Sequence, residues 1–203
     1  MRTIEDAKIK TGNILLGALF LCGGFTLLSL FSWAWWGLFA GGLVAWAIVF
    51  KKDSLFAFTL PKHIWMILLG FLGYMALSIS VGYLALSFGL PWAVNPVAGH
   101  LGNMILKIPF MLMGEELLGI GILETARNKG LSLTSSTFLS ALIFGMMHIF
   151  VYWDGSLVST LLHVLLLQGV ARLIFNYVYL KTNRSIWGSW ISHLLVDFVS
   201  LGL

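Results

Sequence analysis

Charged residues are scarce in this chain. Asp, Glu, Lys and Arg make up 10% of its 203 residues, whereas soluble domains usually contain about 25%. Apolar residues make up 59%, compared with about 45–50% in soluble domains, and the mean hydropathy is +0.95. This composition excludes an ordinary soluble domain and indicates an integral membrane protein.

Cysteine is nearly absent as well. Cys22 is the single cysteine of the sequence and lies in an apolar run, so a disulfide framework is excluded. Internal repeats and low-complexity tracts are also lacking. We therefore expect a single transmembrane domain over residues 1–203. Its N-terminal helices, in 1–103, are expected to be variable, and the helices in 104–203 to carry the functional motifs.

Long apolar stretches are abundant by contrast. A helix needs about 17–25 residues to cross a hydrocarbon core of about 30 Å. Seven stretches qualify, which predicts an all-α polytopic fold with about seven transmembrane helices. The predicted spans are Asn13–Phe31, Trp33–Phe50, Ile64–Leu90, Met104–Ala126, Leu133–Trp153, Leu157–Leu180 and Ser185–Leu201.

The basic residues between these spans fall on one side of the predicted membrane. They are Arg2, Lys8, Lys10, Lys51, Lys52, Lys62, Arg127, Lys129, Lys181 and Arg184. The opposite loops carry Asp154 instead, and the longest of them runs from Pro91 to Asn103. This asymmetry predicts a cytoplasmic N-terminus and an outer C-terminus. It also explains the net charge of +4 without a nucleic-acid partner.

Several ionisable residues lie inside the predicted spans, where a charge costs roughly 2.5–3.5 kcal/mol on insertion scales. They are Lys107, Glu115, Glu116, Glu124, His148, His163, Arg172, His193 and Asp197. Lys107 is close to the outer end of its span and can extend towards the interface. His163 stands alone on its span, and we interpret it as a hydrogen-bonded core histidine.

Four of these residues reach a similar depth from three different helices. Glu115, His148, His193 and Asp197 all fall near the middle of the bilayer at 1.5 Å rise per residue. His193 and Asp197 are four residues apart and project from one helix face. Phe144 has the same spacing from His148. The sequence therefore predicts a polar site within the membrane.

This site is compatible with several functions. A carboxylate beside an imidazole can deprotonate a water for hydrolysis, and no Ser or Cys of the cluster suggests a covalent nucleophile. Glu115, His148 and His193 are also normal zinc ligands, although the H-E-x-x-H pattern is lacking. A proton relay in a transporter uses the same residue types, but inverted repeats are not evident. The fourth hypothesis is that these residues form a polar core with a purely structural role.

Three motifs follow one another in the second half of the chain: "EELLGIG" (115–121), "FGMMH" (144–148) and "SIWGSWISHLLVD" (185–197). Over about 104–201 this order resembles the CPBP family of intramembrane proteases. That family includes the CAAX prenyl endopeptidases and bacterial bacteriocin-processing and self-immunity proteins. Its pattern is EExxxR, FxxxH and HxxxN or HxxxD on successive transmembrane helices.

The resemblance implies a role for each matching residue. Glu115 corresponds to the general-base glutamate, and His148 would help to hold and activate the water. His193 and Asp197 would face the carbonyl oxygen and stabilise the tetrahedral intermediate. Glu116 corresponds to the second glutamate, with a structural role. The resemblance implies a glutamate peptidase, so we expect no cofactor, with zinc at Glu115, His148 and His193 left open.

Two positions depart from the family pattern. Ile120 stands where the motif has arginine, so a counter-charge for the glutamates is missing from its usual place. We predict that Arg172, the deeply placed cation of the sixth span, pairs with Glu116 instead. Asp197 stands where many members have asparagine, and we predict that it orients His193 by accepting its other N–H. Both departures are compatible with weakened activity.

The sequence thus predicts an intramembrane glutamate-type endopeptidase in a bacterial plasma membrane, acting in peptide processing or bacteriocin self-immunity. Its partners would be the lipid bilayer and a peptide or membrane-protein substrate. The alternatives are a non-enzymatic binding or immunity protein of the same fold and a proton-coupled transporter. The substrate and the oligomeric state are not predicted.

Overall fold

The computed structural model describes residues 4, 7–90, 92–95, 98 and 101–202, with backbone alone at 101 and 103. Over these residues every regular element is a helix, as predicted. The α-helices are α1 Thr11–Leu30, α2 Gly37–Val49, α3 Trp65–Ser87, α4 Leu101–Met104, α5 Ile108–Asn128, α6 Leu133–Met147, α7 Leu157–His163, α8 Val170–Lys181 and α9 Ile186–Leu201. Two 3₁₀ segments, Ser32–Ala34 and Lys51–Phe58, and a π-helical segment, Val164–Gly169, complete the described elements.

Each predicted span contains a helix, but the helices differ in length. Among the described residues, three are long and apolar enough to cross a bilayer: Thr11–Leu30, Trp65–Ser87 and the continuous run Leu157–Lys181. Three further apolar helices, α2, α6 and α9, are shorter. The orientation with an inner N-terminus stays a prediction.

Several predicted boundaries were wrong. The second span was predicted from Trp33, but α2 begins at Gly37 after a 3₁₀ turn. The fourth was predicted from Met104, but α5 begins at Ile108, with Lys107 as its N-cap and a proline in its first turn. The fifth was predicted to reach Trp153, but α6 ends at Met147. Mostly apolar sequence flanks all three points, with Lys107 as the one charged residue at these boundaries, so hydropathy alone does not mark the helix ends.

Two predictions fall partly outside the described residues. Within the predicted outer loop, Pro91, Pro96 and Gly99 lie outside them, as does Arg2 among the basic residues.

Helix α5, which carries both mid-span glutamates, is the centre of the fold. It packs against α2, α6, α8 and α9. Leu117, Ile120 and Leu123 on its buried side have no exposed surface and belong to the largest core cluster. Trp46 of α2 donates a hydrogen bond of 2.7 Å from Nε1 to the Leu117 carbonyl oxygen. These contacts hold the glutamate segment rigidly between four helices.

Helices α1 and α2 pack through glycines at close range. A Cβ on Gly24 would lie 2.4 Å from the Gly37 carbonyl oxygen, and one on Gly41 would lie 2.5 Å from the Phe20 carbonyl oxygen. The "GLFAG" sequence of α2 therefore brings the two backbones together, as small residues do in membrane helices. This contact anchors α1 to the rest of the bundle through α2.

Large apolar side chains cover much of the outside. Leu19 of α1, Leu72 of α3 and Phe138 of α6 are all more than half exposed, whereas Glu116, Arg172 and several serines are fully buried. This inside-out distribution matches a solvent of lipid rather than water. Together with the apolar helices, it identifies a multi-pass membrane protein.

Candidate active site

The two adjacent glutamates of α5 have different environments. The Glu116 side chain is completely buried, whereas 22% of the Glu115 side-chain surface is exposed. Neighbouring residues on a helix point in different directions, so one carboxylate enters the packed interior and the other reaches a cavity. The structure therefore divides the pair into a structural and an accessible carboxylate.

Glu116 is surrounded by polar partners from two other helices. Arg172 of α8 donates two hydrogen bonds of 2.9 Å, one to each carboxylate oxygen. Ser189 of α9 donates to Oε2, and His193 of the same helix contacts Oε1 through Nδ1 at 2.9 Å. The predicted pairing of Arg172 with Glu116 is thus present, in the bidentate geometry that favours arginine over lysine.

Arg172 is itself tightly enclosed. Its guanidinium carbon lies 5.6 Å from the ring centroids of Phe144 and Phe175, within cation–π range. A Cβ on Gly119 would lie 2.6 Å from Cδ of Arg172 and 2.7 Å from Nη1. Ile120, at the motif's arginine position, packs in the apolar core. The positive charge that compensates Glu116 therefore comes from α8. Gly119, which has no side chain, leaves the space that Arg172 occupies.

His193 is fixed by the same network. Its ring stacks on Phe175 with centroids 4.3 Å apart, and a carboxylate can only accept, so Nδ1–H donates to Glu116. Its Nε2 lies 3.8 Å from Glu115 Oε2 and 3.8 Å from Asp197 Oδ1. The prediction that Asp197 orients His193 was wrong, because 3.8 Å exceeds a hydrogen bond. Glu116 orients the ring instead.

His148 caps the end of α6. Its Nδ1 lies 2.8 Å from the Phe144 carbonyl oxygen, which must accept, so this nitrogen carries a proton. The ring centroids of Phe144 and His148 are 4.8 Å apart, as their spacing of four residues predicts. In the neutral ring Nε2 is then a hydrogen-bond acceptor.

A cavity of about 530 Å³ opens onto these side chains. Its lining includes the four residues predicted to share one depth, namely Glu115, His148, His193 and Asp197, together with Phe144. Glu116 and Arg172 do not belong to the lining and lie behind it. A volume of this size is typical of ligand sites, so the predicted residues converge on a space that can admit a ligand.

Sequence reasoning missed Ser189. Ser189 accepts a hydrogen bond of 3.2 Å from Arg172 and donates to Glu116, so it belongs to the buried network behind the cavity. It precedes His193 by one helical turn, on the same face as Asp197, so the spacing of four residues could have identified it. Its hydroxyl is fully buried, which gives it a structural role rather than that of a nucleophile.

A second buried contact joins the helices behind the site. Ser140 of α6 donates a 2.7 Å hydrogen bond to the Gly119 carbonyl oxygen, and Asn176 of α8 donates to the Ser140 hydroxyl at 3.2 Å. These bonds fix α5, α6 and α8 at the level of Glu116.

No group of three or more His, Cys, Asp or Glu side chains among the described residues is arranged to hold a metal ion.

Three comparisons with known proteins were made, and one of them, with family models, found a match. Searches of curated proteins and of solved structures found no match. The family model described as "Rce1-like: Type II CAAX prenyl endopeptidase Rce1-like" matches residues 96–199. These residues include all three motifs and the ionisable residues of the site, namely Glu115, Glu116, His148, Arg172, His193 and Asp197. This match spans half of the chain, which therefore belongs to the Rce1-like family of type II CAAX prenyl endopeptidases, within the CPBP intramembrane proteases.

Proposed function

We propose that the protein is an intramembrane endopeptidase that hydrolyses a peptide bond in or near the bilayer. The observation that carries this proposal is the division between the two glutamates. Glu116 is saturated by Arg172, Ser189 and His193, whereas Glu115 reaches the cavity beside His193. One carboxylate thus builds the site and the other is placed to react.

In this proposal Glu115 acts as the general base. It removes a proton from a water molecule that also donates to Nε2 of His148, and the water oxygen attacks the substrate carbonyl carbon. The proton is then delivered to the leaving amine nitrogen as the C–N bond breaks. A carboxylate that is accessible and held on a rigid helix meets the geometric requirement for this step.

His193 and Asp197 would face the carbonyl oxygen, with Asp197 protonated, since an ionised aspartate has no proton to donate to an oxyanion. Glu115 and Asp197 are each 3.8 Å from His193 Nε2, beyond hydrogen-bond range, so a protonated Nε2 can donate to the oxyanion instead. When Nε2 carries a proton, the Glu116 carboxylate on Nδ1 compensates the positive charge of the ring. Charge placed where the oxyanion forms is usually the largest single contribution to such catalysis.

The test is cleavage by protein purified in detergent. Two fluorogenic peptides serve as probes: one ends in a prenylated CAAX-type sequence, and the other is an unmodified apolar peptide. We expect Glu115→Gln to lower kcat by at least about 100-fold, the usual contribution of a general base. Glu124→Gln is the matched control, since Glu124 lies on the same helix, pairs with Arg184 and is not part of the cavity lining. Equal rates for wild type and Glu115→Gln would contradict the proposal.

Asp197 supports a second candidate, a non-enzymatic binding or immunity protein of the same fold. Aspartate donates a hydrogen bond only when protonated, unlike the asparagine of many family members. Asp197→Asn separates the two candidates: an enzyme should keep or gain activity with the amide. If neither probe is cleaved and cells carrying wild type, Glu115→Gln or His148→Ala are equally protected against a bacteriocin, the binding protein is favoured.

The proposed setting is a bacterial plasma membrane, with a role in peptide processing or bacteriocin self-immunity. The placement of basic residues on one side of the predicted spans supports a plasma membrane. The proposed partners are the lipid bilayer and a peptide or membrane-protein substrate, with no cofactor.

A further inference from the structure

His163 was interpreted from the sequence as a hydrogen-bonded core histidine, but its surroundings differ. It is 4% exposed and contributes to the lining of the cavity that contains Glu115 and His193. Its Nδ1 has no hydrogen-bond partner among the described residues. Buried polar atoms are nearly always paired, and leaving one unpaired destabilises a fold. Nδ1 therefore needs a hydrogen-bond partner that none of the described residues supplies, and a ligand in the cavity could provide one.

Aromatic contacts fix the His163 ring without using its nitrogens. The Trp92 ring stacks on it at 4.6 Å with an interplanar angle of 8°. Tyr152 contacts it at 4.5 Å with an angle of 54°. A ring held in this way is oriented before any ligand arrives, so a hydrogen bond from it loses little rotational freedom.

The ring is also close to the proposed reaction centre. Tyr152 contacts His148 as well, with centroids 6.2 Å apart. Because Tyr152 contacts both rings, the distance between the His163 and His148 rings is no longer than these two contacts together. An extended peptide, at about 3.3 Å per residue, covers that distance with about three residues. The π-helical segment begins directly after His163, and such segments are frequent at functional sites.

We propose that His163 is a substrate-binding residue whose Nδ1–H donates a hydrogen bond to an oxygen of the bound peptide, within about three residues of the cleaved bond. The oxygen belongs either to a backbone carbonyl or to a C-terminal carboxylate, which present the same acceptor chemistry. This inference rests on the proposed function, because it assigns part of the same cavity to the same substrate.

The test is equilibrium binding to protein carrying Glu115→Gln, in which the probe is not consumed. The probes are fluorescent versions of the prenylated CAAX-type peptide and the unmodified apolar peptide, each prepared with a C-terminal acid and with a C-terminal amide. His163→Phe keeps an aromatic ring between Trp92 and Tyr152 and removes both nitrogens. We expect it to weaken binding roughly 3–10-fold for a carbonyl acceptor and more than about 10-fold for a carboxylate. In the second case the loss is confined to the acid probes.

Leu162→Ala is the matched control. Leu162 precedes His163 on the same helix and is 41% exposed, so its truncation should leave binding unchanged. In the wild-type background, His163→Phe should raise KM by the same factor and leave kcat unaltered, as expected when uniform binding is removed. Thermal unfolding in detergent verifies that the variants are folded.

The outcomes separate this inference from the proposed function. The role of His163 is overturned if the Glu115→Gln protein binds every probe equally well with and without His163→Phe. A failure of both proteins to bind any probe overturns it as well. Cleavage by the wild type with equal affinities overturns it while the endopeptidase stands. Weaker binding to His163→Phe without cleavage by the wild type supports the binding site and contradicts the hydrolysis.

Discussion

Replacing Arg172 by methionine tests whether the ion pair with Glu116 holds the bundle together. Both side chains are fully buried, and the Arg172 guanidinium donates two hydrogen bonds of 2.9 Å to the Glu116 carboxylate. Methionine keeps a similar length and removes the charge. Removal of one partner leaves the Glu116 charge uncompensated in the interior, which typically costs about 3–5 kcal/mol.

The magnitude distinguishes charge from ordinary hydrogen bonding. Neutral hydrogen bonds between membrane helices contribute on average about 0.6 kcal/mol and at most about 1.7 kcal/mol. The free energy of unfolding is measured by titrating the purified protein from detergent micelles into SDS, with tryptophan fluorescence as the signal. A loss of about 3 kcal/mol or more for Arg172→Met can then be assigned to the buried charge.

The double variant Arg172→Met/Glu116→Gln completes the experiment. Since it removes both charges, it should be more stable than Arg172→Met alone. Lys181→Met is the matched control: it removes a cation on the same helix that lies over the Tyr177 ring at 5.5 Å, so it should cost no more than about 1 kcal/mol. A loss below about 1.7 kcal/mol for Arg172→Met, or a double variant as unstable as the single one, would refute the reasoning.

Three further predictions follow from close contacts and from the site's chemistry. Gly119→Ala places a Cβ against Arg172 and should lower the free energy of unfolding by roughly 1–3 kcal/mol. In an Arg172→Ala background the loss should vanish, and its persistence would show that the contact is not its cause. Gly24→Ala meets the Gly37 carbonyl oxygen and should cost a similar roughly 1–3 kcal/mol in the same titration. Gly23→Ala, whose Cβ meets nothing within 4 Å, should be neutral or stabilising; equal losses for the two would argue against the α1–α2 contact. Finally, peptide cleavage should be insensitive to a chelator, and an inhibition that zinc reverses would assign a metal to the site.

Much of the site could be predicted because charge is so rare in the sequence. With Lys107 at a helix end, Arg172 was the one deep cation left to pair with the glutamates, and the structure places it there. Spacing of four residues located Phe144 beside His148. The similar depths predicted for Glu115 and His193 indicated that the two residues lie close together, and the structure places both at one cavity. These inferences use helical geometry and the penalty for burying charge, and both can be applied to one helix at a time.

The remaining features depend on contacts between elements that are distant in sequence. Hydropathy could not show that α6 ends at Met147, because the following residues are equally apolar. Nor could spacing assign the partner of His193 Nδ1: Asp197 has the right separation on the helix, but Glu116 on α5 makes the bond. The aromatic clamp around His163 joins Trp92 from one loop to Tyr152 from another. No periodicity in the sequence encodes such a meeting.

The position of the counter-charge also affects how the chain enters the membrane during synthesis. An arginine at position 120 would be inserted in the same helix as Glu116, one turn away, and could neutralise it at once. With Ile120 there, Glu116 of α5 must wait for Arg172 of α8. In the interval its charge faces an insertion penalty of roughly 2.5–3.5 kcal/mol, or the carboxyl group must hold a proton. Stable packing of α5 against its neighbours therefore depends on α8, and the cavity that Glu115 lines cannot be completed until most of the chain has been made.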